Sequence, residues 1–273
     1  MLTRLLLPVH CMLLLKLTLI PTLLYLLSLV ARYRGPHFAG WLSGLPIVAG
    51  PILWLLAHEQ GKDFAAMAAL QAIAAIAASE MFNLIYARTA SRQRWPVALA
   101  AALSGWLLAA LLLQRLPLTP VLALGVAVLS VCGNYFCLPR PPKPALDSSS
   151  HDRLWLRMLA AAALTLGVSE AAQQLGAAWS GVLAVFPLQG VVMAVSMQQA
   201  QGPAAVQTLL RGMLLGRFSF AVFCLTLVLL LPRLQSNSAF LLASLLSLLA
   251  QYLSRYRFAA SARTTPAAIP PPG

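Results

Sequence analysis

Residues 96–114 read PVALAAALSGWLLAALLLQ, nineteen positions without a charged side chain. As a helix rising ~1.5 Å per residue the run covers about 28 Å, close to the hydrocarbon thickness of a bilayer. Similar runs lie on both sides of it, at 12–31, 39–57, 64–87, 120–138, 154–173, 177–197, 206–231 and 238–254. The chain therefore reads as an all-α integral membrane protein of about nine transmembrane helices. Barrel strands would alternate polar and apolar over about ten residues, and these runs do not.

Composition agrees. Hydrophobic residues make up 60% of the 273 and charged residues 9%, against roughly 25% charged in soluble domains. The net charge of +13 invites a nucleic-acid partner, but the basic residues are scattered over short loops, as membrane topology requires. With the N-terminus outside, eleven Lys and Arg fall in cytoplasmic loops and the tail, among them Arg32, Arg34, Arg88, Arg140 and Arg255. Four (Arg4, Lys62, Arg115 and Arg233) fall on the other side. The positive-inside rule then places the C-terminus in the cytoplasm. Cys11, Cys132 and Cys224 sit in apolar runs, and the Cys132–Cys137 pair lacks a second ligand pair, so no metal is expected. Residues 1–30 do not read as a cleaved signal peptide, because Lys16 interrupts the apolar stretch and no small-residue site follows. Met1 and Met12 both fit as the first residue.

Adding 141 to a position in the first half aligns it with the second half without a gap. Lys16 meets Arg157, Gly35 meets Gly176, Gly40 meets Gly181, and Pro46 meets Pro187. Gln60-Gly61 meets Gln201-Gly202, Phe82 meets Phe223, and Arg92 meets Arg233. Matched leucines in membrane segments carry no information; matched Gly, Pro, Gln and basic positions do. The domain reading follows: a four-helix repeat at 12–115, a linker helix and Pro/Ser-rich cytoplasmic loop at 116–153, a second repeat at 154–255, and a disordered cytoplasmic tail at 256–273. The odd linker helix turns the second copy upside down. Arg32 and Arg34 become Gln173 and Leu175 on the opposite side, as expected of two copies obeying one charge rule in opposite orientations.

Within the first copy, GWLSGLPIVAGP (40–51) packs five helix-weakening residues into twelve. Pro46 and Pro51 remove hydrogen-bond donors and clash with the preceding turn. The counterpart holds Gly181, Pro187 and Gly190, with Gln189 beside them. Interrupted helices at matching positions of inverted halves point to a transport site, for which Pro46, Gly50, Pro51, Pro187 and Gln189 are candidates. A structural kink packed through Gly40 and Gly44 explains the same residues. Each interrupted helix ends in a polar turn, HEQGKD (58–63) and QQAQG (198–202), which adds Glu59, Gln60 and Gln201 as a gate or vestibule. A solvated turn closed by glycine is the alternative.

Intramembrane charge is costly and is functional by default. Glu80 lies ~10 Å deep at ~1.5 Å per residue, and Arg217 lies at a similar depth in the equivalent helix. They are expected to pair across a pseudo-two-fold, as a lock or as a site for an ion or acidic substrate. Lys16 and Arg157 reach opposite faces and fit snorkelling. Arg211, followed by Gly212 and Gly216, fits close packing. Enzyme readings do poorly. Ser43 resembles an intramembrane protease serine, but Trp41 stands where a glycine is required. His10, His37, His58 and His151 are isolated. No cofactor is expected.

GVLAVFP (181–187), followed by Gln189-Gly190, resembles the GlpM-like four-helix proteins of the bacterial inner membrane. Residues 35–52, with EQG at 59–61, are similar to larger bacterial proteins that carry this unit twice. The resemblance implies the bacterial inner (cytoplasmic) membrane and no established substrate. Three functions stay open: a gradient-driven secondary transporter or exporter of a small solute, a flippase for a lipid or lipid-linked precursor, and a non-catalytic accessory subunit of an envelope assembly. The lipid bilayer is the expected partner, and a homodimer is compatible with the sequence.

Overall fold

The computed structural model describes residues 33–43, 45–47, 49–139 and 186–263, with Thr22, Tyr25, Leu26, Leu29, Val30 and Ala163; the side chains of Glu59 and of 255–263 are outside this set. Among the described residues there are seven helices and no strand: α1 Pro36–Leu42, α2 Ala49–Glu59, α3 Lys62–Thr89, α4 Trp95–Gln114, α5 Pro120–Cys137, α6 Leu188–Leu230 and α7 Ser236–Arg263. Five of them, α3 to α7, are long and apolar enough to cross a membrane. The runs at 12–31 and 154–173 lie outside the described residues or nearly so.

Three boundaries differ from the sequence reading. The run 39–57 is not one helix but two, α1 and α2, because Pro46 has no N–H to continue the ladder. The runs expected at 177–197 and 206–231 are the two limbs of α6 in the described residues, abutting at Gly202 with no loop between them, 43 residues in all. At ~1.5 Å per residue this is about 65 Å, twice a bilayer core, and Gly202 divides it with φ 80 and ψ −176. The tail expected to be disordered from 256 is helical to Arg263. YRFAASAR (256–263) contains neither Gly nor Pro, so the helix has no reason to stop there.

α3 is the centre of the bundle. It packs on α4, α5, α6 and α2, while α6 also carries α1 and α7. Small side chains permit this: Ala65, Ala69 and Ala78 of α3, Ala98 and Ala102 of α4 and Ala123 of α5 are all fully buried. Without a hydrophobic force between helices in lipid, close backbone approach is what holds them together. α1 and α6 approach closely backbone to backbone, where Gly40 lies against the Leu209 carbonyl and Gly212 against the His37 carbonyl. The outer faces are apolar. Val121, Leu129 and Phe136 on one side of α5 are 82%, 74% and 82% exposed, a surface suited to acyl chains rather than water.

Helix boundaries recur at a fixed interval. α3 starts at Lys62 and ends at Thr89; the second limb of α6 starts at Pro203 and ends at Leu230. α4 starts at Trp95 and α7 at Ser236. Each pair is 141 residues apart. The glycine before each limb has the same unusual backbone, φ 94 and ψ 168 at Gly61 and φ 80 and ψ −176 at Gly202.

Candidate functional site

α3 and the second limb of α6 run antiparallel. Lys62 Nζ, at the start of α3, donates to the Leu234 carbonyl just past the end of α6 (2.8 Å). Gln207 Nε2, near the start of the limb, donates to the Ala87 carbonyl near the end of α3 (3.2 Å). Glu80 and Arg217 meet between these points.

Their meeting is a four-residue cluster. Glu80 is 1% exposed and Arg217 18%. Glu80 Oε1 accepts from Arg217 Nε at 2.8 Å and from Asn83 Nδ2, one helical turn on, at 3.1 Å. Glu80 Oε2 accepts from Asn134 Nδ2 of α5 at 2.7 Å, and the same nitrogen lies 2.7 Å from the Glu80 main-chain carbonyl. Both carboxylate oxygens are thus held by polar donors from three helices. Removing two charges from water costs several kcal/mol per ion, so a cluster like this gains little stability and is a common way to build a site.

The two interruptions also meet. Between α1 and α2 the chain makes short local bonds, with Leu45 N–H to the Leu42 carbonyl, Ile47 to Leu45 and Gly50 to Pro46. The Ser43 carbonyl is taken instead by Gln189 Nε2, from the start of α6, at 3.2 Å. One interruption therefore satisfies a backbone group freed by the other, as a dry interior demands. Aromatic rings fill the bends crosswise. A methyl placed on Gly50 would lie 3.5 Å from Phe223 Cζ and 3.9 Å from Pro46 Cβ; one on Gly190 would lie 3.6 Å from Phe82 Cε1 and 3.8 Å from Pro187 Cβ. Phe82 and Phe223 are themselves 141 apart, as are Pro46 and Pro187.

The polar turns follow the same crossed pattern. Lys62 of the first turn reaches the α6–α7 connection, and Trp54 Nε1 donates to Asn237 Oδ1 (3.1 Å). Gln198 of the second turn donates to the Ala90 and Gln93 carbonyls of the α3–α4 connection (3.2 and 3.1 Å) and accepts from Tyr86 Oη (2.8 Å). The acceptors Gln93 and Leu234 are again 141 apart. Because the first turn starts α3 and the second sits at its other end, the turns occupy opposite ends of the bundle.

Of the other candidates, Pro51 lies half-buried in the first turn of α2, where its missing donor is harmless. Gln60 and Gln201 are exposed in the turns, and Glu59 ends α2. Arg211 lies beside Gly212, which packs closely as expected. The Arg211 Nε donates to the Pro139 carbonyl (2.9 Å) and an Nη to Leu138, closing the end of α5, while Gly212 makes the close contact. Lys16, Gly44, Arg157, Gly176 and Gly181 lie outside the described residues. Sequence reading missed Asn83, Asn134 and Gln207, and had Gln198 only as part of the polar turn. It also missed Gln251, whose Nε2 donates to the Trp41 carbonyl (2.6 Å). Their signal was plain polarity within apolar runs. No protein family, curated protein or solved structure matches the chain.

Proposed function

We propose that this chain is a small secondary transporter or exporter whose central site lies between the two interrupted helices, with a gradient as the driving force and Glu80 as proton carrier. The crossed, antiparallel relation of α3 and the second α6 limb carries this reading: each half's bend is filled by the other half's phenylalanine, and the two polar turns lie at opposite ends. That arrangement supports two four-helix repeats at offset 141, inverted about a linker helix, in a nine-span chain. Rocking of one half against the other would then expose the centre to each side in turn. The location read from charge and from the GlpM-like resemblance is the bacterial inner membrane, N-terminus outside. A flippase for lipid or lipid-linked precursors is the second reading. It is favoured by the part-exposed Arg217 side chain beside the 43%-exposed Phe218, a charge with a lateral approach.

The test is reconstitution of the whole chain in liposomes under an imposed proton gradient, with a panel of labelled solutes and a fluorescent lipid. Gradient-dependent solute flux that falls at least about tenfold in Glu80→Gln supports transport. Lipid scrambling without solute flux selects the second reading, and neither activity removes both.

A further inference from the structure

The Arg217 guanidinium is only partly used. Its Nε is bound to Glu80 Oε1, and among the described residues its two Nη groups take no partner. They are not buried either, since Gln251 Oε1 is the one buried side-chain atom without a partner among the described residues. A guanidinium offers donors in a rigid fork that matches planar oxyanions. Here Glu80 fixes one edge of the fork, Asn83 and Asn134 fix Glu80, and the far edge carries the N–H groups without a partner among the described residues, on a side chain that is 18% exposed.

Charge balance then limits what can bind. Empty, the cluster is one carboxylate and one guanidinium, net neutral. A monovalent oxyanion added to it would leave one uncompensated negative charge at depth in the bilayer. A proton added alone would leave one positive charge. Both are costly in low dielectric. A proton and an anion together restore neutrality. The proton goes to the Glu80 carboxylate, the hydrogen bond from Arg217 Nε is given up, and the anion accepts from the guanidinium in its place. Among the described residues the groups that meet the carboxylate are Arg217 from α6, Asn134 from α5 and Asn83 from α3, and Arg217 alone is charged. From this we infer that Arg217 is the binding site for a monovalent oxyanion, a carboxylate or a phosphodiester, taken up together with one proton on Glu80. Resting on the transporter reading, this makes the cargo acidic and the cycle an electroneutral symport of one proton per anion.

Binding tests this without any transport assay. The whole chain in neutral detergent is titrated with sodium acetate at constant ionic strength, at about pH 5 and about pH 8, following the unfolding midpoint and proton uptake. In a parallel arm phosphatidylglycerol replaces acetate, to tell a lipid-borne oxyanion from a soluble one. The wild type is expected to gain about 5 °C at saturation at the lower pH only, and to take up about one proton per chain. Glu80→Gln, with a neutral side chain of the same shape, should respond at both pH values without proton uptake. Glu80→Gln/Arg217→Gln, net neutral like the parent, should respond at neither. A response to phosphatidylglycerol alone assigns the oxyanion to a lipid. Binding that is equal at both pH values in the wild type, that survives loss of Arg217, or that is absent from Glu80→Gln with both probes overturns the inference. The transporter reading fails separately, if reconstituted protein moves no solute.

Discussion

At the scale of single residues, Asn134 is the most informative side chain in the molecule. One Nδ2 faces both the carboxylate and the main-chain carbonyl of Glu80, so Asn134→Leu keeps the branched shape and strips both acceptors of that donor. The expected cost is about 1–3 kcal/mol, read as a lower unfolding midpoint in detergent, with Asn134→Asp no substitute because it sets a second carboxyl against the first. The close glycine contact gives a second prediction. A methyl on Gly212 would collide with the His37 carbonyl and come within 3.0 Å of Trp41 N, while Gly125 of α5 has nothing within 4 Å. Gly212→Ala should lose about 1–3 kcal/mol, and Gly125→Ala should change stability by no more than about 1 kcal/mol. The Glu80–Arg217 pair was legible because charge is rare in apolar runs and the two share a depth. Asn134 was not. One amide in PVLALGVAVLSVCGNYFC does not say which face it takes or which helix it meets. The carbonyls that Arg211 binds were not foreseen, because they belong to the end of another helix.

At the scale of elements, the breaks were legible and the helix ends were less so. Five Gly and Pro residues in twelve forecast the interruption between α1 and α2, and they did so from backbone chemistry alone. The division of α6 at Gly202 was forecast by the polar turn 198–202; that its two limbs would abut without a loop was not, because Gln198, Ala200 and Gln201 are good helix formers right up to Gly202. The bend rests on glycine, not proline. The residue after Gly61 is Lys62 and the residue after Gly202 is Pro203, yet both glycines adopt nearly the same positive-φ backbone. That region excludes a Cβ for steric reasons. Gly61→Ala and Gly202→Ala should therefore each destabilise by about 1–3 kcal/mol, measured by thermal unfolding, whereas Pro203→Ala should leave the bend in place and stability within about 1 kcal/mol. Equal tolerance of all three would show that the bends are held by packing instead.

At the scale of the whole molecule, the offset of 141 proposes two matching halves and says nothing of how they would touch. Contacts between halves depend on which faces meet, and apolar runs carry little of that information. The crossed contacts make a prediction about sidedness. Single cysteines at Lys62 and Gln199, in a version lacking the four native cysteines, are treated in intact cells with a membrane-impermeant thiol reagent. Lys62→Cys should label from outside and Gln199→Cys only after permeabilisation; labelling of both from one side would exclude inverted halves. The crossed phenylalanines carry one more consequence. A chain cut between residues 139 and 186 would yield two fragments, each holding a Pro-Gly bend and lacking the ring that fills it. Neither fragment should then fold fully by itself, and each should act as a template for the other. Expressed together as separate polypeptides, they should find one another in the bilayer, and the joined chain is then best viewed as a tethered heterodimer.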